Sequence, residues 1–298
     1  MSALEQSNSA GSGQAAGMPR EGHVRPVKVI AVTGGKGGVG KSNVAANLAL
    51  ALSARERRVM LLDGDMGLAN LDVLLGLQPT HNLHDVLDGK VHLEDVLLRG
   101  PGDLTVIPAA SGIATMAKLD DAQVVGLINA FSQLSQDVDV LVIDTAAGIS
   151  PSVLRFTQAA GEVLVVVCDE PTSMTDAYAL MKVLSRDHGV GRFRIVTNMT
   201  RSPGQGRVLF EKIARVTGRF LDVAVDHAGT IPWDEYLARA VQQQMPVVGA
   251  FPGSWSSLAF KKLAERADNW VTPAEASGGI QFFMERMFGG SSAGGTQQ

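Results

Sequence analysis

Gly34-Gly-Lys-Gly-Gly-Val-Gly-Lys-Ser42 follows the β-branched run Val27–Thr33 and opens a helix-length stretch, Lys41–Ala54. From Gly35 to Ser42 it spells G-x-x-x-x-G-K-S. In such a loop the glycines let backbone N–H groups curl around phosphate oxygens, and the following helix points its positive end at them. Gly35, Gly37, Gly38, Val39 and Gly40 supply the cradle. Lys41 is placed to neutralise β and γ oxygens, and the Ser42 hydroxyl to take a Mg²⁺ position. A strand before the pattern and a helix after it set it apart from an ordinary glycine-rich turn. The loop carries a second lysine, Lys36, near its start, at the first variable position of the pattern.

Two other runs end in carboxylates. Asp139-Val-Leu-Val-Ile-Asp144 places Asp144 at the tip of a buried strand, where a Walker-B aspartate holds Mg²⁺. Gly148, four residues on, can let a switch segment approach the γ-phosphate. Arg58–Asp63 runs into Asp63-Gly64-Asp65-Met66-Gly67. Carboxylates at i and i+2 past a strand can share a phosphate pocket, one supporting the metal shell and the other orienting the attacking water. Turn chemistry is the competing reading, since Asp and Gly favour turns.

Short β-branched runs alternate with helix-length stretches over most of the chain. The runs are Val27–Thr33, Arg58–Asp63, Leu104–Pro108, Asp139–Asp144, Glu162–Cys168 and Phe193–Asn198. The stretches are Lys41–Ala54, Asp120–Gln136, Pro151–Ala160, Ser173–His188 and Pro203–Thr217. The pattern predicts an α/β fold, a mostly parallel central sheet with helices on both faces. Ligands in such sheets bind at the carboxyl ends of the strands.

Residues 1–25 are small, polar and aromatic-free, which predicts a disordered arm. Residues 26–270 form the expected domain, 271–279 a linker, and 280–298 a helix and tail. The arm lacks an apolar core segment, so it reads as no signal peptide. With 45% hydrophobic and 19% charged residues, the composition is ordinary for a soluble chain. Net charge −4 and pI about 5.9 give no global field for nucleic acid, so specific DNA binding is not expected. The single cysteine, Cys168, excludes a disulfide framework and suits a reducing cytosol.

Lys36 with Lys41, the Asp63-x-Asp65 pair and Asp144 together resemble the deviant-Walker family of MinD- and ParA-like ATPases. Asp65-Met-Gly-Leu-Ala-Asn-Leu-Asp-Val-Leu-Leu-Gly76 resembles its MinD branch. Asn82-Leu-His-Asp-Val-Leu-Asp-Gly89, Ile107-Pro-Ala-Ala-Ser-Gly112 and Cys168-Asp-Glu-Pro-Thr172 resemble the flagellar-number regulators FlhG and FleN. The resemblance spans nearly all of residues 26–288. It implies a slow, Mg²⁺-dependent ATPase that forms a dimer with two ATP molecules between the subunits. It makes Lys36 the signature lysine that crosses to the second subunit's phosphates, Asp65 the catalytic aspartate and Asp63 its metal-side neighbour. It makes Asn198 the adenine-binding asparagine, with Pro232 in the loop beside the base. The implied partners are the flagellar master transcription activator, which it antagonises, and flagellar switch-complex proteins. The same chemistry with other partners would make a division-site MinD or a ParA-like DNA partition motor. A nucleotide-gated adaptor with negligible hydrolysis is a third alternative.

Ile280, Phe283, Met284, Met287 and Phe288 fall on one helical stripe. A helix this short is marginal alone in water. Its place after the linker resembles the membrane-targeting helix of MinD and FlhG, which implies peripheral attachment at the inner face of the cell membrane. That helix is usually basic, whereas here only Arg286 is, offset by Glu285. A groove on the protein itself is the other destination, and the resemblance implies docking in the monomer and release in the ATP dimer. Gly13-Gln-Ala-Ala-Gly-Met-Pro-Arg20 resembles the Asp-Gln-Ala-x-x-Leu-Arg element with which FlhG proteins activate the FlhF GTPase. Gly13, Met18 and Pro19 depart from it, which favours a plain disordered arm. Arg192–Arg219 is locally basic, with Arg207 and Arg215 prominent, and reads as a solvated face or a contact for an acidic surface or anionic lipid.

Overall fold

The computed structural model describes residues 27–65, 70–108, 121–132, 134 and 138–271, with Phe283, Met284, Arg286 and Met287 of the tail. The strands are β1 (Lys28–Thr33), β2 (Val59–Gly64), β3 (Leu98–Arg99), β4 (Thr105–Ile107), β5 (Val140–Thr145), β6 (Glu162–Cys168), β7 (Arg192–Thr200) and β8 (Ala224–Pro232). They form one sheet in the order β3-β4-β2-β5-β1-β6-β7-β8. Every pairing is parallel except β3 with β4. This is the expected mostly parallel sheet, and it extends one strand beyond the sequence reading on the β7 side.

The helices are α1 (Lys41–Ser53), α2 (Leu71–Leu74), α3 (Leu83–Leu87), α4 (Asp121–Ser132), α5 (Pro151–Ala159), α6 (Pro171–His188), α7 (Pro203–Phe220), α8 (Glu235–Gln242), α9 (Val247–Ala250) and α10 (Trp255–Asp268). Local chemistry fixes several ends. Pro171 and Pro203 occupy first-turn positions, where their missing N–H is no loss, and the Ser202 hydroxyl accepts from Gln205 N. Gly189 closes α6 in the left-handed conformation that ends many helices.

Alternation along the buried strands gives the sheet two faces. Ile30, Val32, Leu61, Val142 and Val166 pack with α1, α9 and α10. Val29, Ala31, Leu62 and Ile143 point the other way, toward Leu83, Phe131 and Phe156 of α3, α4 and α5. Farther along that face Val165, Phe193 and Ile195 meet α6 and α7. The parallel register then gathers the strand tips at one end. Asp144 is level with Val32 of β1 and with Asp63 of β2, and Cys168 of β6 with Asn198 of β7.

Candidate active site

The loop from Gly34 to Gly40 turns β1 into α1 and is held from three sides. Gly148 N donates to Gly34 O (3.1 Å), Asn198 Nδ2 donates to Val39 O (2.8 Å), and the Cys168 thiol reaches the same carbonyl at 3.5 Å. Two glycines are dictated by geometry. Gly40 has φ +89°, and a Cβ there would stand 2.5 Å from Asn198 Nδ2. A Cβ on Gly35 would collide with the Asp176 backbone of α6. The cradle therefore admits no side chain at these points and leaves backbone as its lining.

Lys41 is only 8% exposed, and its Nζ donates to Lys36 O at 3.3 Å. Burial lowers its pKa, and the carboxylates of Asp144 and Asp65 oppose that shift. Asp144 is 3% exposed. Burial pushes its carboxyl up to about 7 despite a hydrogen bond from Ser42 and the charge of Lys41, with Asp63 and Asp65 pushing the same way. Its Oδ1 is buried and has no hydrogen-bond partner among the described residues. A hard carboxylate oxygen without a protein donor, beside a hydroxyl and below a phosphate cradle, fits a Mg²⁺ ion bound with a nucleotide. The Thr33 hydroxyl, at the tip of β1, is a second buried oxygen without such a partner.

Asp63 is equally buried, but its oxygens are taken. Oδ1 accepts from Asp65 N (3.0 Å), and Oδ2 accepts from Asn70 N and Leu71 N (each 3.2 Å). Burial raises its carboxyl to about 6 against those three N–H donors. Asp63 thus fastens the loop that carries Asp65, and Asp144 presents the open oxygen. Asp65 is half-buried, close enough for its charge to act on Lys41 and Asp144. The structure brings Lys41, Ser42, Asp63, Asp65 and Asp144 together, but Asp63, expected on the metal side, spends both oxygens on backbone N–H groups.

Lys36 lies at the lip of the cradle. Its Nζ meets Glu170 Oε2 at 2.6 Å and Thr172 Oγ1 at 3.0 Å, and the hydrogen bond to Glu170 raises its pKa. Sequence reasoning singled out the Cys168–Thr172 segment only for its likeness to relatives and missed this pairing. Asn198 and Pro232 stand at the ends of β7 and β8, where Trp233 N donates to Thr200 O at 2.7 Å. Asn198 is 4% exposed, and its side-chain amide supports the loop in this structure. Cys168 is buried and its thiol is pushed up to about 11, so it is unsuited to nucleophilic work.

Away from the cradle, Phe283, Met284 and Met287 are buried against the Val29–Leu62–Ile143 face. Arg286 Nη2 donates to Gln158 O at 3.1 Å, placing a cation at the C-terminal end of α5. Ile280 and Phe288, the remaining members of the stripe, lie outside the described residues, as do the arm, residues 272–279 of the linker and Met66 to Ala69. No helix among the described residues is long and apolar enough to cross a membrane.

Comparison with known proteins agrees with this geometry. The ParA family model, described as NUBPL iron-transfer P-loop NTPase, matches residues 25–267. The chain is 58% identical over 270 residues to the antiactivator FleN of Pseudomonas aeruginosa, covering 91% of this chain and 96% of that protein. It is 31% identical over 238 residues to the flagellum site-determining protein YlxH of Helicobacter pylori, covering 80% of each. Among solved structures it is similar to the septum site-determining protein MinD of Pyrococcus horikoshii complexed with Mg-ADP. That match has a TM-score of 0.65 and 28% identity, covering 82% of this chain and 96% of that one. The chain belongs to the ParA family of P-loop NTPases and is a MinD-like ATPase of the flagellar-number regulator type.

Proposed function

We propose that this ATPase is a slow, Mg²⁺-dependent dimerisation switch that regulates flagellar number or placement. The observation that carries the proposal is the contrast within one loop. Lys41 is buried beside Asp144 and Asp65, whereas Lys36 is held at the lip by a surface ion pair. A nucleotide in the cradle needs one lysine from its own chain. The other is placed to serve a second copy.

The chemistry follows from the residues. Backbone N–H groups of residues 35–42, the start of α1 and Lys41 hold and neutralise the triphosphate. Ser42 and Asp144 would hold Mg²⁺, which neutralises charge on the β and γ phosphates. Asp65 orients a water for in-line attack on the γ-phosphorus; the bond to the β-bridging oxygen breaks, leaving ADP and phosphate. Lys36 of a second subunit leaves Glu170 and meets the charge that develops on the transferred phosphoryl group. Asn198 and Pro232 flank the base. The family description includes iron transfer, which relies on thiolate ligands, and this chain has one cysteine.

The tail supplies what the dimer switches. Burying Phe283, Met284 and Met287 contributes roughly 1.5–3 kcal/mol for each side chain. The same stripe, freed, suits a lipid interface, and two tails per dimer raise its avidity. Similarity to an antiactivator and to a flagellum site-determining protein supports antagonism of the flagellar master transcription activator. Flagellar switch-complex proteins are further partners, and FlhF is one if the arm retains its activating element. The location is cytoplasmic and peripheral at the membrane. Flotation with phosphatidylglycerol vesicles tests the switch. ATP should bring the protein up with the vesicles and ADP should not; equal flotation in both would overturn it.

A further inference from the structure

The basic cluster read between Arg192 and Arg219 divides in the fold. Arg194 donates to Glu162 and Asp226, each at 2.9 Å, and Arg192 Nε lies 3.9 Å from Asp226, so both are occupied at the amino end of β7. Farther along, α7 contributes Arg207 to a different cluster, completed by Lys262 and Arg266 of α10. β8 ends the sheet, with α7 packed on one face and α10 on the other. Between the two helices a cleft of about 700 Å³ follows the strand edge.

Aromatic and apolar side chains form part of the lining of the cleft. Phe210 stacks on His227 with ring centroids 4.8 Å apart, and Trp255 and Leu258 stand at the rim, 78% and 48% exposed. Exposed apolar surface bordering a concave site marks an interaction surface. Arg207, Lys262 and Arg266 line the cleft against one acid, Glu211, on a chain with net charge −4. Glu211 pairs with Arg207 at 3.3 Å, but both side chains are more than half exposed and the pair is weak. Arg207 and Arg266 line the cleft with His227, and burial first, then their charges, hold the imidazole below its usual pKa.

The strand edge itself is blocked. Arg266 Nη1 donates to Ala228 O at 2.8 Å, the β7–β8 register shifts between Ile195 and Val196, and Pro232 ends the strand. These features oppose pairing with another strand, which leaves recognition to side chains.

We propose that this cleft binds an acidic peptide segment of a partner protein. The segment inserts a bulky apolar side chain between Phe210, Trp255 and Leu258, while its carboxylates pair with Arg207, Lys262 and Arg266. A flat bilayer does not reach a floor set between two helices; an inserted side chain does. The inference stands on the cleft alone and does not require the nucleotide mechanism.

The test measures fluorescence anisotropy of a fluorescein-labelled peptide of repeated Glu-Glu-Leu against the nucleotide-free protein at low salt. Binding should saturate, and Glu-Glu-Ser and Lys-Lys-Leu repeats should bind about tenfold more weakly or worse. Arg207→Glu with Lys262→Glu should weaken the Glu-Glu-Leu peptide by about tenfold or more. Ala259→Phe, which fills the cleft and keeps its charges, should do the same. Unchanged melting temperatures confirm that these variants fold. The proposal is overturned if the Glu-Glu-Leu peptide does not saturate, if the variants bind it normally, or if Glu-Glu-Ser binds equally well. It is equally overturned if only phosphatidylglycerol vesicles bind and the same variants release them, since the surface would then serve lipid.

Discussion

The interior of the phosphate loop and its lip are built on opposite principles. In the interior, Lys41, Asp63 and Asp144 are each under 10% exposed, and backbone or side-chain partners hold them in place. At the lip, Lys36 rests on Glu170 and Thr172 through contacts that solvent reaches. Buried charges are costly to strand without partners, so the interior is fixed. An exposed ion pair is weak and screened by salt, so the lip can exchange its partner. One strand-to-helix turn thus combines a permanent site with a movable residue. The tail belongs with the interior, since Phe283, Met284 and Met287 are buried against one face of the sheet.

The largest effect should come from the lip. Lys36→Ala should lower the single-turnover rate of ATP cleavage by on the order of 10³-fold while ATP affinity, measured by calorimetry, stays within a few-fold. Loss of affinity instead would place Lys36 in the interior set. Lys41→Ala should weaken ATP binding by about 100-fold or more, because it removes the buried cation of the loop. Phe283→Ala should destabilise the nucleotide-free protein by about 3 kcal/mol in urea unfolding. A change within error would mean that the tail does not close the core.

The interior carboxylates give a pH signature. Both titrate higher in the folded protein than the ordinary 3.8, at about 6 for Asp63 and about 7 for Asp144. Folding therefore favours their protonated forms. Their contribution to stability is fully present below pH 3.8 and is lost as pH rises through 6 and 7. The nucleotide-free protein should lose stability between about pH 4 and pH 7 and change little above that, and Asp144→Asn should recover on the order of 2 kcal/mol at pH 8. Asp139, held down to about 2 by Arg58, changes outside that window. The smallest effect belongs to Glu170→Gln, which should tighten ATP-dependent dimerisation roughly 2–5-fold by freeing Lys36. Weaker dimerisation would show that Glu170 contributes across the interface.

Much of this was legible in the sequence because burial writes itself into composition. The runs ending at Thr33, Asp63, Asp144 and Cys168 lie between helices on both faces, so they are continuously apolar, and their ends matched the strands to within a residue or two. β8 was missed because it is an edge strand. Ala224-Val-Asp-His-Ala-Gly-Thr-Ile-Pro232 is half-exposed and bulged, with no apolar run. Helix α10 was missed because small residues, Ser256, Ala264 and Ala267, make up much of its buried face. In the site, the loop and its carboxylates announced themselves by type and spacing. The pairings of Lys36 with Glu170 and of Asn198 with Val39 join residues more than a hundred positions apart, and no local pattern records them.

The central claim is that ATP brings two copies together and hydrolysis parts them. The direct measurement is the solution mass of Asp65→Ala by light scattering after size exclusion, with ATP and Mg²⁺, with ADP and Mg²⁺, and without nucleotide. The account predicts a lasting dimer in ATP and a monomer in the other two conditions, because binding is intact and the water is no longer oriented. A monomer in ATP, with ATP bound, would contradict it.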